Sequence, residues 1–227
     1  MNQGTGQPAP YPVAYDVEPQ LHDRNRLTVF FRIILAIPQL ILVGGPGLGL
    51  GGGWWAWESP PHGSWAWGFH WGDGGILGAV ACVMAILAWF AILFASTHPR
   101  GLWDFTCFFL AWRARVATYV ALLRDEYPPF GQDPYPVRFE VTYPDAPRDK
   151  WSVGLRIFYV IPHAIVLFFL GIAWFVTAVI AWFAILLTGS YPEGLYAFAV
   201  GYLRWSLRVE SYLLLLRDEY PPFSFAP

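Results

Sequence analysis

Apolar positions in this chain come in long runs, and charged positions come in short clusters between them. The first run, Leu27 to Val43, reads "LTVFFRIILAIPQLILV", and the second, Ile76 to Ala95, reads "ILGAVACVMAILAWFAILFA". Similar runs follow at Ser152–Leu170 and Ile172–Thr188. Each is long and mainly apolar, with an Arg near the start of the first and third, a pattern that suits a membrane span. Two further segments, at 101–123 and 194–216, are as long but carry charges near their centres: Arg113 and Arg115, then Arg204, Arg208 and Glu210. Ahead of the first and third runs lie "YPVAYDV" and "YPVRFEV", whose alternation of apolar and polar residues predicts short strands.

The runs repeat. "LRDEYPPF" occurs at Leu123–Phe130 and again at Leu216–Phe223, an offset of 93 that also superposes "AWFAIL" at Ala88 on "AWFAIL" at Ala181. Further upstream the offset is 124, placing Tyr11 on Tyr135, Arg32 on Arg156 and Pro38 on Pro162. The difference is an insertion in the first copy, the glycine- and tryptophan-rich stretch 44–75. The chain therefore reads as a disordered start at 1–10, repeat 1 at 11–130 and repeat 2 at 135–227.

Composition narrows the class. Charged residues make up 13% of the chain against roughly 25% in soluble domains, while 56% is apolar and 19% aromatic. So few charges cannot cover a water-facing surface, and much of this one is expected to face lipid. The net charge of −2 and the absence of a basic patch predict no nucleic-acid partner. No secretory leader precedes the first run, so that run is read as a retained span. Cys82 and Cys107 lie inside apolar segments, which does not suit a disulfide framework.

Two spans per repeat follow, about 27–43 with 76–95 and 152–170 with 172–188. The charged third segments are expected to lie in the membrane interface, because each central charge costs roughly 2.5–3.5 kcal/mol in the bilayer. Lys and Arg are absent from 33–99 and 157–203, so two spans per repeat would leave all of them on one side. The positive-inside rule makes that side the cytoplasm and places both termini there. The expected fold class is thus an all-α integral membrane protein of two tandem repeats, each a short strand, a two-span hairpin and an interfacial amphipathic helix. The repeats would be parallel, related by an axis along the membrane normal.

"FRIILAIPQLIL", "LRIFYVIPHAIVL", the paired "AWFAIL" and the doubled "RDEYPPF" together resemble a bacterial membrane-protein family known as domain of unknown function 4389. The resemblance implies an integral membrane protein of the bacterial inner membrane built from this repeat. It implies no activity, and no catalytic residue is transferred by it.

Candidate chemistry is sparse. The double proline of "RDEYPPF" ends the third segment, and the acidic pair Asp125/Glu126 or Asp218/Glu219 is expected to meet Arg32 or Arg156; the alternative is a solvated helix end. Pro38 and Pro162 would kink the first spans. His163 is read as a packed, hydrogen-bonded histidine, with a proton relay or pigment ligand as the alternative, since Gln39 replaces it in repeat 1. In the insertion, His62 and His70 accompany Glu58 and Asp73 at spacings that match no compact metal motif, so no metal is expected. Trp54, Trp55, Trp57, Trp65, Trp67, Phe69 and Trp71 form either an interfacial belt or a docking surface.

No nucleophile elbow, HExxH or phosphate loop is present in the sequence. The expected function is a non-catalytic accessory or scaffold subunit that binds lipids, needs no cofactor, and packs against a larger membrane complex through the tryptophan loop. The alternative is a small transporter, channel or lipid-handling protein using the repeat interface.

Overall fold

A computed structural model describes residues 11–46, 75–131, 133–144 and 148–227. Among these the chain forms six helices and one two-stranded sheet, in the order β1 (Val13–Val17), α1 (Arg26–Phe30), α2 (Arg32–Val43), α3 (Gly75–Ala95), α4 (Arg100–Val120), β2 (Val137–Val141), α5 (Lys150–Thr188) and α6 (Glu193–Leu213). Two of the helices, α3 and α5, are long and apolar enough to cross a membrane.

Local signals account for the helix ends. Asn25 accepts hydrogen bonds from the Leu27 and Thr28 amides, and its repeat-2 counterpart Asp149 accepts from the Trp151 amide. At the far end, α5 stops on Gly189 in the left-handed conformation, and α3 stops at the equivalent Ser96, also left-handed. A four-residue turn ending in proline then starts α4 or α6, with Pro99 and Pro192 as the N-caps.

The hairpin expected in repeat 2 is corrected here. The runs 152–170 and 172–188 form one unbroken helix, the 39-residue α5. At about 1.5 Å per residue it is roughly 58 Å long. Gly171, the residue between the two runs, allows close packing instead: a Cβ there would lie 3.0 Å from the Tyr202 hydroxyl on α6. A lone glycine inside an otherwise apolar run does not supply the chain reversal a hairpin needs.

Repeat 1 holds the same long helix, cut by the insertion. Under the two offsets α2 matches 156–167 and α3 matches 168–188, so the pair occupies an uninterrupted stretch of α5. α3 starts hard against the end of α2. A Cβ on Gly75 would sit 2.5 Å from the Leu42 carbonyl carbon, an approach only glycine permits. The end of α2 and the start of α3 thus meet as consecutive turns of one helix would, and not as the two legs of a hairpin. Pro38 and Pro162 lie inside α2 and α5, and neither ends its helix.

A second correction concerns the charged third segments. α4 and α6 do not keep their central charges in water; they form the centre of the molecule. In α6 every residue from Ala199 to Tyr212 is buried, including Arg204, Arg208 and Glu210. The reason is that protein, not water, meets these charges. Arg113 of α4 lies 3.0 Å from Glu210, both almost fully buried, and Arg204 donates to the Tyr15 and Phe225 carbonyls. The long helices lie outside. α5 buries only a narrow stripe that includes Val153, Arg156, Val160, His163, Leu167, Trp174, Ala181 and Ile185, and it exposes large apolar side chains from Trp151 to Leu187.

The two repeats exchange contacts in a two-fold pattern. β1 and β2 pair antiparallel with Tyr15 opposite Phe139, residues that are equivalent under the 124 offset. α4 packs on β2 and α6 on β1. Trp182 near the end of α5 donates to the Val29 carbonyl in α1, and its counterpart Trp89 in α3 donates to the Val153 carbonyl at the start of α5. The start of each long helix therefore lies against the end of the other. The long helices are antiparallel, so the two-fold relation between the repeats runs across them, whereas spanning helices related by an axis along the membrane normal would be parallel.

Candidate functional site

The clearest constellation of charged groups is a pair of matching ion locks, one at each end of the molecule. Each is built where a long helix starts, where the third helix of the same repeat ends, and where the other repeat's long helix turns back. In the first lock, Asp125 follows the end of α4 and receives Arg24 Nη2 at 2.7 Å and Nε at 3.0 Å, Arg32 Nη2 at 2.6 Å, and the Asn25 amide at 2.8 Å. In the second, Asp218 receives Arg148 Nε at 2.6 Å and Nη2 at 2.7 Å, and Arg156 Nη2 at 2.5 Å.

Several further contacts recur in both. Arg32 donates to the Tyr119 carbonyl and its guanidinium lies 4.1 Å from that tyrosine's ring centre; Arg156 donates to the Tyr212 carbonyl and lies 4.2 Å from that ring. Arg24 and Arg148 donate to the carbonyls of Leu122 and Leu215, which have φ of 62° and 65°. A left-handed leucine is strained, and its recurrence at equivalent positions shows the arginine holding the chain reversal after each third helix. The backbone continues the theme: the Arg24 amide donates to the Gly189 carbonyl, and the Arg148 amide to Ser96.

These surroundings set the carboxylates' acidity. Burial pushes Asp125 up, but hydrogen bonds from Arg24 and the Asn25 amide, with the charges of Arg24 and Arg32, hold it below the ordinary carboxylate range. Burial acts likewise on Asp218 and is outweighed by Arg148 and Arg156. Both remain ionised at neutral pH.

The other sequence candidates divide. Glu126 and Glu219 do not meet Arg32 or Arg156; they pair with their neighbours Arg124 at 2.5 Å and Arg217 at closer range, in half-exposed positions. Those arginines then bridge to the carbonyls of Glu18 and Thr142, tying the octapeptides to the strand ends. Gln39 and His163 are equivalents doing one task. Gln39 accepts from Trp112 Nε1 at 2.8 Å and donates to the Pro128 carbonyl, while His163 Nδ1 accepts from Trp205 Nε1 at 3.1 Å. Since the indole can only donate, the neutral imidazole carries its proton on Nε2. Phe223 stacks on the imidazole with ring centres 3.9 Å apart. Pro38 and Pro162 each directly precede one of these residues. Trp54, Trp55, Trp57, Trp65, Trp67, Phe69 and Trp71, with Glu58, His62, His70 and Asp73, lie outside the described residues. Among those described, no three His, Cys, Asp or Glu side chains are placed to hold a metal ion.

Arg24, Arg148 and the Arg113–Glu210 pair were not singled out from the sequence. The 124 offset does align Arg24 with Arg148, so the second arginine of each lock had a visible signal. Arg113 and Glu210 had none, because under the 93 offset they fall opposite Ser206 and Ala117.

These features define a helical protein with two helices able to cross a membrane, doubled within one chain and cross-braced by ion pairs. It belongs to the family described as domain of unknown function (DUF4389), whose model matches residues 74–132 and 150–224, one segment in each repeat and together more than half the chain. Neither the curated proteins nor the solved structures yield a match.

Proposed function

We propose that this chain is a non-catalytic, membrane-embedded accessory or scaffold subunit that packs against a larger membrane complex, with the aromatic insertion 44–75 as its docking surface. The observation that carries the reading is the closure of both ion locks. Each aspartate is engaged by two arginines of the same repeat, and those arginines also hold backbone carbonyls, so the strongest polar groups brace a shape instead of lining an open site. Apolar side chains exposed along both long helices supply a perimeter suited to lipid and to other membrane helices. The insertion leaves from the middle of a braced helix, a firm base from which to present aromatic anchors.

The test is recovery of a tagged chain from native membranes in a gentle detergent. The expected result is a stoichiometric membrane-protein partner, lost when residues 44–74 are deleted while the remaining protein keeps its melting temperature. A chain that purifies alone and catalyses solute flux in proteoliposomes, with that flux abolished by Arg32→Ala, would replace this reading with transport.

A further inference from the structure

We infer that the two long helices do not cross the bilayer but lie along it within one leaflet, with the sheet facing water; this rests on the membrane part of the proposed function and not on the partner. The argument starts from the two-fold relation. Tyr15 and Phe139 are opposite each other and both point into the core, so the axis relating β1 to β2 runs perpendicular to the sheet. The same axis reverses the long helices, because Val29 meets Trp182 and Val153 meets Trp89. A two-fold axis that sets two helices antiparallel runs across them, not along them. Helices that crossed the membrane would therefore place this axis in the membrane plane, and the sheet it passes through would sit at mid-depth.

The sheet cannot sit there. Its outer face carries Asp16, Arg138 and Glu140, all exposed, and Glu18 follows at the end of β1. Among the described residues both strands are edges, with backbone groups that hydrocarbon cannot satisfy. With the axis along the membrane normal, every one of these groups faces water at once. The two ion locks, at opposite ends of the long helices, then share one depth on one side of the membrane.

Length gives an independent argument. Exposed apolar side chains on α5 run from Trp151 at 81% exposure to Leu187 at 76%, about 54 Å of helix. The hydrocarbon core is about 30 Å thick. Fitting this band across the bilayer would need a tilt beyond about 50°, outside the roughly 0–40° that spanning helices adopt. Laid flat, the band needs no such adjustment, and a helix about 10 Å wide fits within a leaflet of about 15 Å. The occupant of the long apolar face is therefore the acyl chains of a single leaflet.

Depth measurements along α5 test this. In the full chain carrying Cys82→Ala and Cys107→Ala, nitroxides would be attached singly at Phe158→Cys, Ile165→Cys, Ile172→Cys and Val179→Cys, positions spaced to keep one exposed face. Flat helices predict the same ratio of oxygen to nickel-chelate accessibility at all four positions in liposomes. In inverted membrane vesicles, Tyr127→Cys, Tyr220→Cys and Glu140→Cys should all react with an impermeant maleimide from the same side. A ratio that rises to a maximum and falls again, with Tyr127→Cys and Tyr220→Cys labelled from opposite sides, overturns the inference and leaves the membrane reading intact. Water-like accessibility at all four nitroxides overturns both.

Discussion

Asp125 and Asp218 each engage two arginines that have little other access to water, so removing the carboxylate strands buried cations. Asp125→Asn or Asp218→Asn should lower stability by about 3 to 5 kcal/mol, read as a lower melting temperature in detergent. Asn at Glu126 or Glu219, whose pairs are half-exposed, should cost less than about 1 kcal/mol. Acid has the same target. Both aspartates are held below the ordinary carboxylate range in the folded state, so they bind protons more weakly there than in the unfolded chain. Their stabilisation is complete above the unfolded value of about 3.9 and disappears as pH falls through the lower folded value. Melting temperature should therefore be insensitive to these groups from pH 7 to 5 and fall below about pH 4, with a shallower fall in Asp125→Asn. His163 is predicted to be replaceable: glutamine can accept from Trp205 as Gln39 accepts from Trp112. His163→Gln should stay within about 1 kcal/mol of wild type, whereas His163→Leu strands a buried indole donor and should cost about 1–3 kcal/mol. A histidine needed for proton transfer would instead lose function in the glutamine variant with stability intact.

Long helices here are defined as much by what fails to interrupt them as by propensity. Gly171 and Gly78 occupy equivalent positions, where an added Cβ would lie 3.0 Å from Tyr202 and 3.2 Å from Phe109, tighter than ordinary contact. Gly171→Leu should therefore destabilise by about 1–3 kcal/mol through overpacking, detectable by thermal unfolding, whereas a flexible break at this position would tolerate it. The insertion gives a complementary prediction. Because Val43 and Gly75 correspond to consecutive residues of α5, a chain with 44–74 removed should fold with one continuous helix in each repeat. Its helical content by circular dichroism and its melting temperature should match those of the full chain. Loss of the folded monomer on this deletion would show that the excursion, not the helix, is the structural element.

The molecule is assembled from contacts that cross between repeats: β1 with β2, α1 and α3 with α5, α4 with α6, and each third helix beneath the other repeat's strand. Neither half buries its own strand or closes its own long-helix ends. Residues 135–227 expressed alone should therefore give no folded monomer; where they fold, light scattering in detergent should report a dimer that re-creates the two-fold arrangement. A stable monomer of repeat 2 would contradict the exchanged packing. The Arg113–Glu210 pair breaks the symmetry at the centre, so a dimer of repeat 2 would place two Glu210 side chains near the axis with no arginine at the Ser206 position.

What could be read from the chain alone was whatever is local or repeated. The doubled octapeptide exposed the duplication, alternation located both strands, and long apolar runs marked the helices that face outward. The acidic partner of Arg32 and Arg156 was also readable, though not which member of each acidic pair, because Asp and Glu one residue apart differ in direction only once the chain reversal at Leu122 or Leu215 is built. Burial was not readable. Arg113, Arg204 and Glu210 look too costly for a core until each has a partner, and those partners lie 97, 189 and 97 residues away in the chain. The same holds for the long helix: periodicity continues smoothly through Gly171, and only packing against Tyr202 shows that the glycine admits a neighbour instead of turning the chain. Local pattern depends on neighbours in sequence, whereas the cost of burying a charge depends on neighbours in space, and those are assigned only when the two repeats close on one another.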